Sequence, residues 1–183
     1  MRKIIVFNMI TLDGMFEGPN ADISFHRTDE EFNQFAIEQL STIDTIIFGR
    51  VTYEGMASYW TTPEAAESDP VVTNQMNSIR KIVFSTTLDT ADWNNTRLIR
   101  SDVANTVREL KQQTGKDMII FGSAKLVASF AELGLIDEYR LIIVPTLLGQ
   151  GTPLFKDMQQ NLRLSNSRVF ANGNVLLCYQ PEV

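Results

Sequence analysis

At 183 residues the chain is long enough for one domain with a sizeable core, residues 1–183, and nothing in its composition asks for two. Hydrophobic residues make up 44% and charged residues 21%, which excludes the disordered and membrane-embedded classes, and no apolar run approaches the length of a membrane span. A net charge of −6 argues against general nucleic-acid binding, so any polyanionic ligand must be met by a local cluster of donors and cations.

The predicted elements alternate along the chain. Lys3 to Ile10 (KIIVFNMI) is a β-branched apolar run suited to a strand buried on both faces. TLDGMFEGPN follows with Asp-Gly and Gly-Pro-Asn turn signals. Thr28 and Glu31 have capping-box spacing, and Phe32, Phe35, Ala36, Leu40 and Ile43 trace one face of the helix they open. TIIFG is the next strand, followed by a helix carrying Tyr53, Met56, Tyr59 and Trp60 as a core stripe. Thr62 and Pro63 form a cap and first-turn pair that opens short helices running to Ser78. KIVFS and TRLIRS are strands, and Asp102 caps a helix with Val103, Val107 and Leu110 facing inward. MIIFG is a further strand, and the helix after it carries Leu126, Val127, Phe130 and Leu133. EYRLIIVP is a strand stopped by Pro145, and the tail reads as a hairpin with the tight-turn dipeptide Asn172-Gly173.

Three of these strands share an ending. TIIFGR, KIVFST and MIIFGS each run apolar to a small residue and then turn polar. In a mostly parallel sheet fed by crossover helices such endings lie on one edge, where ligands bind. Gly49 and Gly122 would let backbone approach a ligand, and the helices that follow would offer unpaired N–H groups to an anion. Arg50 and Thr52, Ser85 and Thr86, and Ser123 and Lys125 add the guanidinium, hydroxyl and ammonium groups that phosphate oxygens need. Read singly, each glycine is better explained as a helix-entry turn; it is the three junctions together that point to a ligand.

Taken together, TLDGMFEG, FGRVTYEGMASYW, KIVFSTTL, FGSAKLVASFAELGLIDEYRLIIVPTLLGQGTPLF and the C-terminal hairpin resemble the dihydrofolate reductase fold, and within it the reductase domain of riboflavin biosynthesis and its single-domain relatives. The resemblance implies an α/β, three-layer fold with a mostly parallel central sheet and a C-terminal antiparallel hairpin. It also implies NADPH as cofactor and a small heterocyclic substrate of the pyrimidine or pterin class. By that likeness Gly49, Arg50 and Thr52 meet the pyrophosphate side and the 2′-phosphate, with Ser85, Thr86 and Arg100 near the same phosphate. Gly122, Ser123, Ala124, Lys125 and Leu126 would cradle the pyrophosphate. Relatives of this type are commonly dimeric, so a homodimer is expected, with no nucleic-acid or membrane partner. A non-catalytic nucleotide-binding or sensory module on the same fold is the alternative.

The catalytic side is thinner. Asp13 ends the first strand in the stretch that resembles the family's nicotinamide-side loop, and it either orients substrate or relays a proton, or is a plain Asp-Gly turn residue. Asn8 and Thr11 could add hydrogen bonds there, and Glu17 and Gly18 belong to a loop that could close over the ring. Asp29, Glu30 and Glu31 stand where a reductase of pterins places a carboxylate, but acids are expected in a first helical turn for dipole reasons alone. His26 reads as a loop residue, and LLGQGTPLF as a shaped loop near the substrate side or a dimer contact. One histidine and one cysteine leave no metal cluster and no zinc-deaminase signature. Cys178 excludes an internal disulfide, suits a reducing cytoplasm and reads as a small buried hydrophobe.

Overall fold

A computed structural model describes residues 1–182. The first strand, β1 (Ile4–Thr11), is buried along its whole length. Its alternation sends Val6 and Ile10 into one core and Ile5, Phe7 and Met9 into another, so helices must cover both faces. After β2 (Met15–Glu17) come α1 (Glu30–Ser41), β3 (Ile43–Gly49), α2 (Arg50–Trp60), α3 (Pro63–Ser68) and α4 (Pro70–Ser78). Then follow β4 (Arg80–Phe84), β5 (Thr96–Ile99), α5 (Val103–Gln112), β6 (Asp117–Phe121), α6 (Ala124–Glu132) and β7 (Glu138–Val144). The chain ends through β8 (Thr152–Pro153), β9 (Leu162–Val169) and β10 (Val175–Pro181).

Eight strands form one sheet in the order β5-β4-β3-β6-β1-β7-β10-β9. Pairings from β5 to β7 are parallel, and β10 runs antiparallel to both β7 and β9. Helices α5 and α6 pack on one face through Val107, Leu110, Val127 and Phe130; α1, α2 and α4 cover the other through Phe32, Leu40, Tyr53, Val72 and Met76. The result is the three-layer α/β architecture with its C-terminal antiparallel hairpin. No helix among the described residues is long and apolar enough to cross a membrane.

Local details differ from the sequence reading, each for a visible reason. Asp29, not Thr28, caps α1: its side chain accepts the Phe32 N–H at 2.9 Å. Glu31 is instead spent on the hairpin, where it accepts Arg168 Nη2 at 2.9 Å and the Ala171 N–H at 2.8 Å. Ile43 belongs to β3, since α1 ends at Ser41. Leu133 lies just beyond α6 and is 40% exposed; the chain turns at Gly134, with φ +63°, and delivers Leu135 and Ile136 to the core in its place. Of the α2 stripe only Tyr53 is buried, its hydroxyl accepting the Trp93 N–H at 2.9 Å. The Asn172-Gly173 turn is a three-residue loop closed by Phe170 and Asn174, with Gly173 at φ +89°, so the extra residue makes a bulge rather than a two-residue turn. Cys178 is buried, as read.

Candidate functional site

Strands β4, β3 and β6 are neighbours, so their three endings lie side by side on the C-terminal edge of the sheet, with β5 flanking β4. Beyond them opens a cavity of about 590 Å³, within the range that small ligands and cofactors occupy. The first junction contributes Gly49, Arg50 and Thr52; the β4 and β5 ends contribute Ser85, Thr86 and Arg100; the β6 junction contributes Ser123, Ala124, Lys125 and Leu126. Gly122 lies behind this lining rather than in it.

The two glycines have a packing reason beside the one the sequence suggested. A Cβ on Gly49 would fall 2.3 Å from Ser123 Oγ, and one on Gly122 would fall 2.8 Å from Thr52 Cγ2. Each junction therefore packs against the other, and Gly122 also adopts φ +61°. Their smallness lets the β3 and β6 junctions pack together, and Gly49 itself lines the cavity.

What the edge does leave open is backbone. Helices α1, α3 and α4 have side-chain caps from Asp29, Thr62 and Asp69, which accept from Phe32, Ala65 and Val72 N–H groups. The caps of α2, α5 and α6 are Gly49, Asp102 and Ser123, and none makes a side-chain capping bond. Asp102 fails as a cap because it is held left-handed at φ +53°. All three uncapped N-termini border the cavity, so the positive ends of three helix dipoles converge there.

The cations are distributed around these amides. Arg50 Nη1 pairs with Glu54 at 2.8 Å along the exposed face of α2. Arg100 Nη2 donates to Asp89 O at 2.9 Å. Lys125 stands exposed in the first turn of α6. Ser85 Oγ accepts from the Thr87 and Leu88 N–H groups at 3.2 and 3.0 Å and so shapes its own loop, while Thr86 is exposed.

The pairing that builds one wall was not legible in the sequence, although Glu17 and the LLGQGTPLF loop were both read on that side. Strands β2 and β8 form a two-stranded ribbon that brings Phe16, Glu17 and Thr152 onto the cavity. Strands of three and two residues carry too little periodicity to be read; the signal available was Gly151, whose Cβ would fall 2.3 Å from Glu17 O. Asp13 belongs to the base of this ribbon, not to the cavity lining. Its carboxylate accepts from Thr11 Oγ1 at 2.5 Å and from the Leu148 and Gly149 N–H groups, the latter at 2.7 Å. The Thr11 hydroxyl first, and the Gly149 amide second, hold it below the usual carboxylate range. It thereby ties LLGQG to the first strand. Thr11 is used up as well, since its oxygen also accepts the Met15 N–H at 3.0 Å. Glu17 is the carboxylate that lines the cavity among the described residues. His26 packs edge-on against Phe25 at 4.8 Å, and burial lowers its pKa.

Residues 2–176 match the family described as the RibD C-terminal domain. The chain belongs to that family. This RibD C-terminal domain protein is 36% identical over 182 residues to "Uncharacterized protein YyaP" of Bacillus subtilis (strain 168), covering 97% of this chain and 94% of that one. Among solved structures it resembles the Thermotoga maritima diaminohydroxyphosphoribosylaminopyrimidine deaminase/5-amino-6-(5-phosphoribosylamino)uracil reductase, with TM-score 0.72 and 16% identity over 99% of this chain and 57% of that one. It also resembles Enterococcus faecalis dihydrofolate reductase complexed with NADP(H), with TM-score 0.67 and 13% identity over 99% of this chain and 97% of that one. The RibD C-terminal domain fold of this chain is accordingly dihydrofolate reductase-like.

Proposed function

We propose that this RibD C-terminal domain protein is an NADPH-dependent reductase that transfers a hydride to a small heterocyclic substrate of the pyrimidine or pterin class. The observation that carries the reading is the convergence of three uncapped helix N-termini with Arg50, Arg100 and Lys125 on one cavity. That donor set suits a pyrophosphate and a further phosphate. Amides at the starts of α2 and α6 hold the pyrophosphate; Arg50, assisted by Ser85, Thr86 and Arg100, meets the 2′-phosphate. When bound, NADPH supplies the hydride. Phe16, Phe84 and Leu126 give the cavity apolar walls that exclude water. Glu17, rather than Asp13, is the carboxylate placed to hold or move a proton at the cavity. A cytoplasmic homodimer belongs to the same proposal, supported by the family resemblance and by the single buried Cys178.

The second reading, a nucleotide-binding module without turnover, is favoured by one observation: the Asp13 carboxylate is consumed by loop amides. Titration with NADPH, followed by a screen of dihydrofolate, the riboflavin-pathway aminopyrimidine and small carbonyl compounds, separates the two. Turnover on one substrate class is the expected result. Tight NADPH binding with no oxidation by any of them leaves the module, and no binding removes both.

A further inference from the structure

Lys81 is an unfavourable choice for the second position of a buried strand. It has no exposed surface, and its ammonium ends among the carbonyls of Asn77, Ile79 and Asn94 rather than beside a carboxylate. Removing a charge from water with no opposite charge to meet it works against folding. What the arrangement achieves is geometric. The three carbonyls belong to separate segments: the last turn of α4, the lead-in to β4, and the return of the loop that joins β4 to β5. Three bonds in three directions leave the ammonium one position, and the Trp93 ring lies 4.5 Å from it.

Trp93 carries that fixation towards the cavity. Its ring stacks with Phe48 at 6.0 Å and meets Tyr53 at 6.1 Å, while its indole N–H donates to Asn77 Oδ1 at 2.7 Å and its backbone N–H to the Tyr53 hydroxyl. Phe48 precedes Gly49 and Tyr53 is the fourth residue of α2, so the pair brackets residues 49–52, all of which line the cavity. The loop that ends in Trp93 and Asn94 begins with Ser85, Thr86 and Thr87 on the same cavity, and its Leu88 and Ala91 pack on the aromatic cluster. The whole cluster lies on the sheet face covered by α1, α2 and α4; α5 and α6 stand on the other.

We infer that Lys81 is a positioning residue: through Trp93 it holds the first turn of α2 and the β4–β5 loop in the arrangement that meets the ligand. The inference rests on reading the cavity as a dinucleotide site. Its test is Lys81→Met, which keeps a long unbranched side chain and removes the charge. In the ligand-free variant the N–H signals of Arg50, Val51 and Thr52 and of Thr86, Thr87 and Leu88 shift, while those at the starts of α5 and α6, Val103, Ala104, Ala124 and Lys125, keep their parent positions. NADPH affinity of the folded variant, measured by fluorescence titration well below its melting temperature, falls about tenfold when the first turn of α2 is in place about a tenth of the time. A lysine that only stabilised the core would lower the melting temperature and leave both readings where they were. Trp93→Phe keeps an aromatic ring in the stack but loses the bond to Asn77 Oδ1; it shows the same pattern with a smaller loss, and serves if the methionine variant does not fold. Unchanged NADPH affinity in folded Lys81→Met, or amide shifts as large at α5 and α6 as at α2, would each overturn the role of Lys81. If the parent binds no NADPH the dinucleotide reading fails, and the ligand-free amide signals alone then decide whether Lys81 holds α2.

Discussion

The two ends of the parallel strands are both cationic and are built in opposite ways. At the N-terminal ends four cations are spent. Lys81 is fully buried, donates to the carbonyls of Asn77, Ile79 and Asn94 at 3.1, 2.8 and 3.0 Å, and sits 4.5 Å over the Trp93 ring; burial lowers its pKa to about 8. Lys111 donates to Leu135 O and to Asp137, Arg2 to Asp44 and Lys116 O, and Lys116 to Ser41 O at the end of α1. These groups meet helix C-termini and loop carbonyls, where positive charge belongs for the stability of the fold. At the C-terminal ends the helices present N-termini, the caps are withheld, and the cations are exposed. Charge alone does not mark a site; unspent backbone donors do.

The contrast can be broken most severely at the hinge between the β3 and β6 junctions. Gly122→Val puts a branched side chain at φ +61° and into Thr52, so it costs on the order of 4 kcal/mol of stability by thermal or urea unfolding, and cofactor binding goes with it. This substitution therefore tests packing, not phosphate approach. A variant as stable as the parent would show that the junctions do not depend on each other.

At the spent end, Asp137→Ala strips partners from Lys111 Nζ, at 2.6 Å, and from the Ile4 N–H, at 2.7 Å. Unfolding should show a loss of about 2 to 3 kcal/mol, with NADPH affinity of the folded fraction unchanged. At the open end the effects reverse. Arg50→Ala loses only an exposed pair with Glu54, so stability moves by less than about 1 kcal/mol. NADPH affinity falls roughly tenfold to a hundredfold, and the preference over NADH shrinks with it. Equal affinity of the parent for both cofactors would remove Arg50 from the 2′-phosphate.

Much of this was legible locally, and the rest depends on partners far away in the chain. A β-branched run that stops at Gly49, Ser85 or Gly122 announces a buried parallel strand and its end to within a residue, because both faces of such a strand must be apolar. That Gly49 meets Ser123, Gly122 meets Thr52 and Asp13 meets Gly149 cannot be read from neighbours, since each pair closes only when the sheet forms. Local chemistry was also ambiguous where two conformations use the same residues. Asn-Gly suits both a two-residue turn and the three-residue bulged loop found here, and Thr28 and Asp29 are both good caps one residue apart. The burial of Lys81 and Lys111 has no local signal, because burial of a lysine is decided by the carbonyls that fold around it.

Asp13 gives the smallest effect. Its folded pKa is depressed, so its contribution to stability is complete above the ordinary carboxylate pKa and is lost as pH falls through the lowered folded value. Asp13→Asn should remove that acid-sensitive component, which melting temperature against pH will show as a flatter acid limb. Turnover at neutral pH should be unchanged. A large fall in single-turnover hydride transfer would return Asp13 to the chemistry.

Amide chemical shifts on titration with NADPH read the two ends of the helices directly. If the withheld caps are there for the dinucleotide, the N–H signals of Arg50, Val51 and Thr52 and of Ala124, Lys125 and Leu126 move on binding. Those of Phe32, Ala65 and Val72, already capped by Asp29, Thr62 and Asp69, stay where they are. Saturable shifts confined to the capped helices, or none at either end at millimolar NADPH, would contradict a dinucleotide site at the open edge.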